Sequence, residues 1–330
     1  MRVAILGAGS WGTALAIEFA RSGHETMLWG RDPEVASRIE ADGRHPRRLS
    51  GFVLPPTVRP SSDLSEAYAF GEIVFVSVPC ASIRPLLDLS PAGDGAGLRI
   101  VSTSKGIEPD TLQRMTQVMH ERYPAAALAA LSGPTFAEGV ARADPTAAVV
   151  ASEHADYAGE LQSCFSSSTF RLYRSDDVIG VELAGALKNV VAIAAGIVSG
   201  LGYGHNTLAA LVTRGLVEIT RLGLALGADA DTFPGLAGMG DLMATCASPD
   251  SRNHTLGVHL GLGMSLDDAI AATGGTAEGV KSSRSVLELA TTVGVEMPIT
   301  AAVAAVLFDG LPVDQLAAIL LARPHKPEGL

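Results

Sequence analysis

Lys188 is the only charged residue in the middle of an apolar stretch, VELAGALKNVVAIAAGIV, over residues 181–198. The spacing of Ala, Leu, Val and Ile in this stretch predicts a helix. Neighbours one turn away on the lysine's face are small or apolar, so none of them can pair with its charge. The lysine therefore either reaches solvent along its aliphatic stem or meets an acid from elsewhere and serves as a proton donor.

Two glycine-rich loops in the second half of the chain each contain one acid. The first, LAGMGD, places Asp241 behind two glycines, where backbone can come close to a ligand. The second, GGTAEG at residues 274–279, holds Glu278. Either acid is a candidate partner for a substrate, a cofactor or Lys188.

The sequence SPDSRN, residues 248–253, precedes a predicted helix over 254–260. Ser251 or Asn253 can cap this helix, since both residue types accept hydrogen bonds from the first free amides. Arg252 lies beside the helix N-terminus, where the dipole and the guanidinium together favour an anion. The loop is therefore either a cap alone or an anion site.

A glycine motif stands at the start of the chain. GAGSWG, residues 7–12, follows a strand-like segment, Arg2–Leu6, and precedes a helical one, Thr13–Arg21; a second strand, Glu25–Trp29, follows. In this strand–turn–helix context the glycines permit a tight turn and a close approach of backbone to a pyrophosphate. The pattern predicts a dinucleotide site.

The end of the second strand distinguishes the two nicotinamide cofactors. NAD sites usually place an acid here to bind the ribose 2′-hydroxyl. This chain reads Trp29-Gly30-Arg31-Asp32. Arg31 can pair with a 2′-phosphate or stack on adenine, whereas Asp32 either caps the helix that begins near Pro33 or faces the ribose. We expect NADP (NADPH) as the cofactor, with NAD possible.

Further strand-like segments predict a mostly parallel sheet, in which ligands bind beyond the carboxyl ends of the strands. Lys105 and the turn Gly133–Thr135 both follow such strands. After residue 176 the pattern is helical almost throughout. We therefore predict an α/β Rossmann-type dinucleotide-binding domain, residues 1–178, followed by an all-α carboxyl-terminal domain, residues 179–330.

Composition narrows the class of protein. The net charge of −11 argues against nucleic acid as a partner. Three widely spaced cysteines fit a reducing compartment, and the histidines show no metal-binding spacing. No signal peptide is visible, and the longest apolar run, residues 190–198, is shorter than the roughly 20 residues of a membrane span. We expect a cytoplasmic protein without a metal or membrane insertion.

Taken together, these segments resemble NAD(P)-dependent glycerol-3-phosphate dehydrogenase, most closely its bacterial soluble form. The resemblance covers essentially the whole chain, and its most specific segment is ELAGALKNVVAIAAG at 182–196. Other matching segments are GAGSWGTALA at 7–16, STSKGIE at 102–108, LSGPTFAEG at 131–139, LAGMGDL at 236–242, SRN at 251–253 and AEGV at 277–280.

The resemblance implies reversible reduction of dihydroxyacetone phosphate to sn-glycerol 3-phosphate, a phospholipid precursor. It implies that Lys188 is the catalytic acid/base, assisted by Lys105 and Asp241. The implied cofactor contacts are Gly7, Gly9, Ser10, Trp11, Gly12, Arg31, Arg48, Lys105, Ala137, Arg252 and Glu278. The implied substrate contacts are Lys105, Gly133, Thr135, Lys188, Asp241, Ser251, Arg252 and Asn253, with Arg252 on the phosphate. The expected partners are this small-molecule substrate and a second copy of the chain in a homodimer.

One segment departs from the family pattern. Where the family often has a Tyr in an N-x-x-Y-L-P-like stretch, this chain reads HPRRLS over residues 45–50. The adenine-side contact is therefore open at this point, and Arg48 is a candidate for the 2′-phosphate instead.

Two other functions fit the same residues. One is a hydroxy-acid dehydrogenase with the same two-domain plan, since a carboxylate could also use Arg252. The other is a non-catalytic NADPH-binding regulator. The presence of both Lys188 and Asp241 argues against the regulator.

Overall fold

The computed structural model describes residues 1–274 and 277–316. They form two compact units, of which the first is Met1–Lys105 with Met115–Val178. The second unit takes Gly106–Arg114 together with the described residues from Ile179 onward. The segment 106–114 thus belongs to the second unit, whereas the single predicted boundary after residue 178 placed it in the first.

The first unit is built on one eight-stranded sheet in the order β3-β2-β1-β4-β5-β6-β7-β8. Neighbouring strands are parallel except for β6 and β7, which are antiparallel. The strands are β1 Arg2–Leu6, β2 Glu25–Trp29, β3 Val58–Ser61, β4 Ile73–Val76, β5 Arg99–Ser102, β6 Ala127–Ser132, β7 Thr146–Ala151 and β8 Phe170–Ser175. Its helices are α1 Ser10–Arg21, α2 Pro33–Asp42, α3 Leu64–Phe70, α4 Ile83–Asp88, α5 Met115–Arg122, α6 Ala137–Arg142 and α7 Ala155–Phe165.

Both faces of this sheet are buried. Along β1, Val3 and Ile5 belong to one hydrophobic core, and Ala4 and Leu6 belong to another. Successive side chains of a strand point to opposite faces, so the two cores lie on the two sides of the sheet. A continuous apolar strand such as β1 is the sequence pattern that such double burial requires.

The predicted fold class is confirmed, and β1 and β2 have the predicted bounds. β3 is absent from the prediction because its sequence, VRPS, contains Pro60 and only one large apolar residue. Proline cannot donate to a strand ladder and is tolerated mainly at sheet edges. β3 is an edge strand paired only with β2, which accounts for both its composition and its absence from the prediction.

The second unit is helical and is organised around α8. Its helices are α8 Val178–Gly200, α9 His205–Ala225, α10 Asp241–Ala247, α11 Arg252–Gly261, α12 Leu266–Ala272, α13 Glu278–Thr292 and α14 Pro298–Phe308. Among the described helices, α8 alone is long and apolar enough to cross a membrane by length and composition. However, 94% of its most apolar 18-residue stretch is buried inside the protein, as expected for a core helix.

Glycines allow α8 and α11 to cross at very short range. A Cβ at Gly196 of α8 would lie 2.0 Å from the carbonyl oxygen of His254. One at Gly257 of α11 would lie 2.1 Å from the carbonyl oxygen of Ile193. Gly200 and Gly261 meet one turn further on with the same crowding. The crossing leaves no space for a methyl group and so fixes the position of α11 against α8.

We therefore expect Gly196→Ala to lower the free energy of unfolding by about 1–3 kcal/mol or more, because the methyl group forces the helices apart. Gly159→Ala is the matched control. That glycine also lies in a helix, but its Cβ would meet only a guanidinium nitrogen of Arg174, at 3.5 Å. The control should be neutral or stabilising, since alanine favours helix. Urea denaturation of both variants measures the difference, and equal stability would contradict the tight crossing.

Candidate cofactor and catalytic sites

The glycine-rich loop after β1 has the form of a dinucleotide-binding turn. Gly7 has φ +127°, and a Cβ there would lie 2.4 Å from the carbonyl oxygen of Ser77. A Cβ at Gly12 would lie 2.0 Å from the carbonyl oxygen of Gly7. Both positions therefore require glycine, the first for the turn and the second for packing of α1 against it.

Gly9 is different, because a Cβ there would meet no described atom within 4 Å. It is the N-cap of α1, which begins with Ser10 and Trp11, and no described side chain caps the helix. Uncapped amides at a helix N-terminus and an open approach are what a pyrophosphate needs. The residues of this loop therefore fit a bound dinucleotide.

At the end of β2, Asp32 takes the capping role that the sequence left open. One carboxylate oxygen accepts a hydrogen bond from the Glu34 amide at 3.1 Å, as the N-cap of α2. The other oxygen pairs with the guanidinium of Arg47. That hydrogen bond holds the pKa of Asp32 below its usual range. The carboxylate is therefore turned toward α2 and Arg47.

Arg31 and Arg48 are exposed, and neither guanidinium has a hydrogen bond or ion pair with another residue in the described part of the chain. Arg47, by contrast, pairs with Asp32. Both cations therefore remain candidates for a phosphate ligand, as predicted from the sequence.

His45 connects the arginine-containing segment, residues 44–48, to the glycine-rich loop through hydrogen bonds. Its side chain is buried, and its Nε2 lies 2.9 Å from the carbonyl oxygen of Ala8. Nδ1 accepts hydrogen bonds from the backbone amides of Arg47 and Arg48 at 3.1 and 3.0 Å. Because Nδ1 accepts, the proton lies on Nε2 and the imidazole is neutral. Burial, and then the charges of Arg47 and Arg48, lower the pKa of His45.

Lys105 meets the turn after β6. Its Nζ donates to the carbonyl oxygen of Gly133 at 3.2 Å, and the Thr135 hydroxyl donates to the same oxygen at 3.2 Å. Gly133 has φ +147°, and a Cβ there would lie 2.9 Å from the Cα of Ala148. Three predicted residues thus form one cluster, and Ala137 begins α6 just after it.

Lys188 does not reach solvent, since only 7% of the residue is exposed. Its Nζ donates to a carboxylate oxygen of Asp241 and to the hydroxyl of Thr245, the latter at 2.8 Å. The Thr245 hydroxyl in turn donates to the carbonyl oxygen of Asp241 at 2.6 Å. Burial raises the pKa of the neighbouring Cys246 thiol to about 12, which keeps it neutral. The acid that the lysine requires is therefore Asp241.

A π-helical turn over Leu236–Gly240 delivers Asp241 to this position at the first residue of α10. A Cβ at Gly238 would lie 2.1 Å from the carbonyl oxygen of Phe233, so the turn depends on glycine. Such turns inside helical segments often mark functional sites. Thr245 was missed in the sequence, although its spacing of four residues from Asp241 places both on one face of α10.

The SRN segment forms the start of α11. Ser251 is buried and caps the helix by accepting from the His254 amide at 3.2 Å. Arg252 is the first helical residue and is exposed, without a side-chain hydrogen bond or ion pair to any described residue. The sequence left capping and anion binding as alternatives, and the structure shows the cap together with a cation available at the same helix terminus.

Asn253 joins three helices of the second unit. Its amide nitrogen donates to the side-chain oxygen of Asn189 at 3.0 Å, and its oxygen accepts from the Gly279 amide at 2.9 Å. Asn189, which follows Lys188 on α8, was also missed in the sequence. Glu278 is the first residue of α13, beside Gly279. Residues 275 and 276 of the predicted glycine-rich loop lie outside the described residues.

The structure therefore collects the predicted site residues into clusters within each unit. The first unit holds the glycine-rich loop, the cations after β2 and the Lys105 cluster. The second unit holds the Lys188 cluster and the start of α11. Within residues 1–274 and 277–316, no group of three or more His, Cys, Asp or Glu side chains is arranged to hold a metal.

Comparison with known protein families identifies the family to which this chain belongs. The description "NAD-dependent glycerol-3-phosphate dehydrogenase N-terminus" matches residues 2–158, and "NAD-dependent glycerol-3-phosphate dehydrogenase C-terminus" matches residues 177–318. The chain belongs to this family. The resemblance seen in the sequence is thereby confirmed over both halves of the chain.

Similar glycerol-3-phosphate dehydrogenases align along their whole length. Glycerol-3-phosphate dehydrogenase (NAD(P)+) of Thermobifida fusca is 48% identical, over 99% of this chain and 98% of that protein. The Streptomyces griseus protein of the same name is 46% identical, over 99% and 98%. The crystal structure of glycerol-3-phosphate dehydrogenase from Coxiella burnetii has a TM-score of 0.92 at 36% identity, over 98% of this chain and 99% of that one.

Removing the acid partner of Lys188 should lower the free energy of unfolding. Asp241→Ala leaves a buried ammonium without its counter-charge, which typically costs about 3–5 kcal/mol of stability. The double variant Lys188→Met/Asp241→Asn removes both charges and should lose less than the single variant. Asp250→Ala, at an exposed acid close by, is the control and should change stability by about 0.5 kcal/mol or less. Urea denaturation measures all three, and a small loss in Asp241→Ala would contradict the pairing.

The neutral state of His45 predicts a pH dependence. Because its pKa is lowered in the folded protein, the unfolded chain takes up the proton first as the pH falls below about 6.5. The stability is therefore complete above that pH and is lost toward the lower folded value, at a rate of at most about 1.4 kcal/mol per pH unit.

His45→Asn cannot titrate and should show a flatter stability profile between pH 7.5 and 5.5. His24 and His254, whose pKa values are also lowered by burial, contribute equally to both proteins and cancel. Parallel profiles for the two proteins would exclude a neutral His45.

Proposed function

We propose that this chain is an NAD(P)-dependent dehydrogenase that reversibly reduces dihydroxyacetone phosphate to sn-glycerol 3-phosphate and so feeds glycerophospholipid synthesis. The observation that carries the proposal is the buried Lys188, held by Asp241 and Thr245. A lysine isolated from solvent and oriented by two oxygen atoms is suited to proton transfer at a carbonyl. Family membership and the names of the relatives support the same reaction.

The proposed cofactor contacts are those that the family resemblance implies. When bound, the dinucleotide supplies a hydride to the substrate's carbonyl carbon. The glycine-rich loop and the N-terminus of α1 would bind the pyrophosphate, and Arg31 with Arg48 would face the adenosine end. The full proposed set is Gly7, Gly9, Ser10, Trp11, Gly12, Arg31, Arg48, Lys105, Ala137, Arg252 and Glu278.

For the substrate, Lys188 would donate a proton from Nζ to the carbonyl oxygen as negative charge develops there. Asp241 and Thr245 would hold Nζ in position, and in the reverse reaction the neutral amine would take the proton back. Lys105 is the second proposed catalytic lysine, whose positive charge would favour the negative charge that develops during the reaction. No metal is required by this scheme, because the cations are side chains.

The phosphate would bind at Arg252, where the guanidinium and the N-terminus of α11 favour an anion. Gly133 and Thr135 would complete the substrate contacts. Ser251 and Asn253 already have hydrogen-bond partners in the structure, so their proposed part in substrate binding includes holding the start of α11. A phosphate remote from the reacting carbon supplies binding energy for orientation.

The proposal also includes a preference for NADPH with NADH accepted, a cytoplasmic location and a homodimer, without nucleic acid or membrane partners. Arg31, in the place where an NAD site prefers an acid, supports the cofactor preference. The direct test is oxidation of NADPH and NADH with dihydroxyacetone phosphate, compared with oxo-acids as acceptors. Faster turnover of the oxo-acids would favour a hydroxy-acid dehydrogenase instead.

Lys188→Met should reduce kcat by roughly 10²–10⁴-fold, the usual contribution of a positioned proton donor. The affinity for NADPH should change little, since the cofactor loop lies on other elements. Lys281→Met replaces an exposed lysine on α13 and should retain full activity. Steady-state kinetics and NADPH fluorescence titration make the comparison. A near-normal kcat in Lys188→Met would refute the acid/base role.

Arg252→Ala should act through the phosphate group. We expect KM for dihydroxyacetone phosphate to rise by roughly tenfold or more, because a charge-assisted contact contributes about 1.5–3 kcal/mol. Dihydroxyacetone, which lacks the phosphate, should lose little further rate. Kinetics with both substrates decide the point, and an equal loss for both would assign Arg252 a structural or catalytic role instead.

A further inference from the structure

Both carboxylate oxygens of Asp32, the acid that follows β2, already have partners in this chain. An acid at this place in NAD sites binds the ribose 2′-hydroxyl and repels a 2′-phosphate. Here one oxygen of Asp32 caps α2 and the other pairs with Arg47. Turning Asp32 toward a ribose would break both interactions.

Arg47 reaches Asp32 because its segment is held in place. The buried His45 accepts from the amides of Arg47 and Arg48 and bonds to Ala8 of the glycine-rich loop. The segment is therefore tied to the cofactor loop at its base, even though the Arg47 side chain itself is largely exposed. An exposed ion pair alone contributes little, but here the backbone anchor presents the guanidinium to the carboxylate in advance.

The four arginines of this region do different things. Arg31 and Arg48 have no ion pair with another described residue, Arg47 pairs with Asp32, and Arg44 donates to the carbonyl oxygens of Ser50 and Gly51. Arg47 is thus the one described cation of the group whose side chain neutralises the acid.

We propose that Arg47 is a specificity-determining residue, which favours the 2′-phosphorylated cofactor by holding Asp32 away from the ribose and cancelling its charge. The inference rests on the proposed dinucleotide site and deepens it. Arg47 acts through Asp32, whereas Arg31 and Arg48 are the residues proposed to meet the phosphate directly. Without Arg47, the carboxylate would repel the 2′-phosphate and gain the freedom to bind a 2′-hydroxyl.

The test is the direct binding of NADPH and NADH, measured by nicotinamide fluorescence, to the wild type and four variants. Arg47→Ala should weaken NADPH binding by roughly threefold or more, since the Asp32 carboxylate without its cation would repel the like-charged 2′-phosphate. NADH should bind as before or more tightly. Arg44→Ala is the matched control from the same segment and should leave the ratio of the two Kd values unchanged.

The decisive variant is Arg47→Ala/Asp32→Asn. Asparagine keeps the helix cap but removes the charge, so NADPH affinity should return to near the wild-type value. Asp32→Asn alone should bind NADPH at least as well as the wild type. A double variant as weak as Arg47→Ala would mean that Arg47 contacts the phosphate itself and would overturn the proposal, as would an unchanged Kd ratio in Arg47→Ala.

Binding and turnover separate the two levels of inference. If the wild type binds the dinucleotides but does not reduce dihydroxyacetone phosphate, the proposed reaction fails and the Arg47 mechanism stands or falls on its own Kd ratios. An equal rise of both Kd values in Arg47→Ala leaves their ratio unchanged and would likewise overturn the proposal.

Discussion

A buried lysine–carboxylate pair, Lys188 with Asp241, lies in the second unit. Taking an ammonium group out of water costs several kcal/mol, and a carboxylate partner recovers this only when further hydrogen bonds accompany the pair. Lys188 has such a site, with the Asp241 carboxylate and the Thr245 hydroxyl at its Nζ. A hydrophobic pair of similar volume would often be equally or more stable. The presence of this buried pair, with Lys188 on α8 and Asp241 on α10, therefore argues for chemistry rather than stability as its role.

Helix packing and side-chain hydrogen bonds fix the positions of the elements around this pair. The glycine crossing brings the backbones of α8 and α11 into direct contact, with Gly196 and Gly257 at its centre. Asn253 then ties the start of α11 to Asn189 on α8 and to the start of α13. Because Lys188 and Asn189 are consecutive residues of one helix, the same backbone carries the proposed proton donor and the anchor of the anion-binding terminus. Precise positioning of reacting groups supplies a large part of an enzyme's rate enhancement. Packing that positions the proposed proton donor would therefore contribute to catalysis.

The parts of the site that could be predicted from sequence are those formed by neighbouring residues. The turn GAGSWG sits between β1 and α1, and its glycines are required by contacts within or next to the turn. The role of Asp32 was undecided in the sequence because its partner Arg47 lies fifteen residues later in the chain. Thr245 lies 57 residues from Lys188, and only folding brings them together. β3 was missed because Pro60 obscures its pattern, and the membership of 106–114 in the second unit follows from tertiary contacts alone.

The proposed site of the first unit is formed by residues close in sequence, and that of the second unit by residues far apart in sequence. The two units should therefore respond differently to substitutions. The proposed cofactor loop of the first unit rests on backbone geometry, since Gly7 and Gly12 tolerate no side chain and the helix terminus itself would supply the donors. The proposed proton transfer in the second unit would rest on a side-chain pair whose members are 53 residues apart and are held by helix packing. A substitution remote from Lys188 that shifts α10 or α11 by a fraction of an ångström can thus impair the chemistry while leaving cofactor binding intact. We therefore expect the proposed proton transfer to be more sensitive than cofactor binding to substitutions in the core, because a close-packed interior transmits strain.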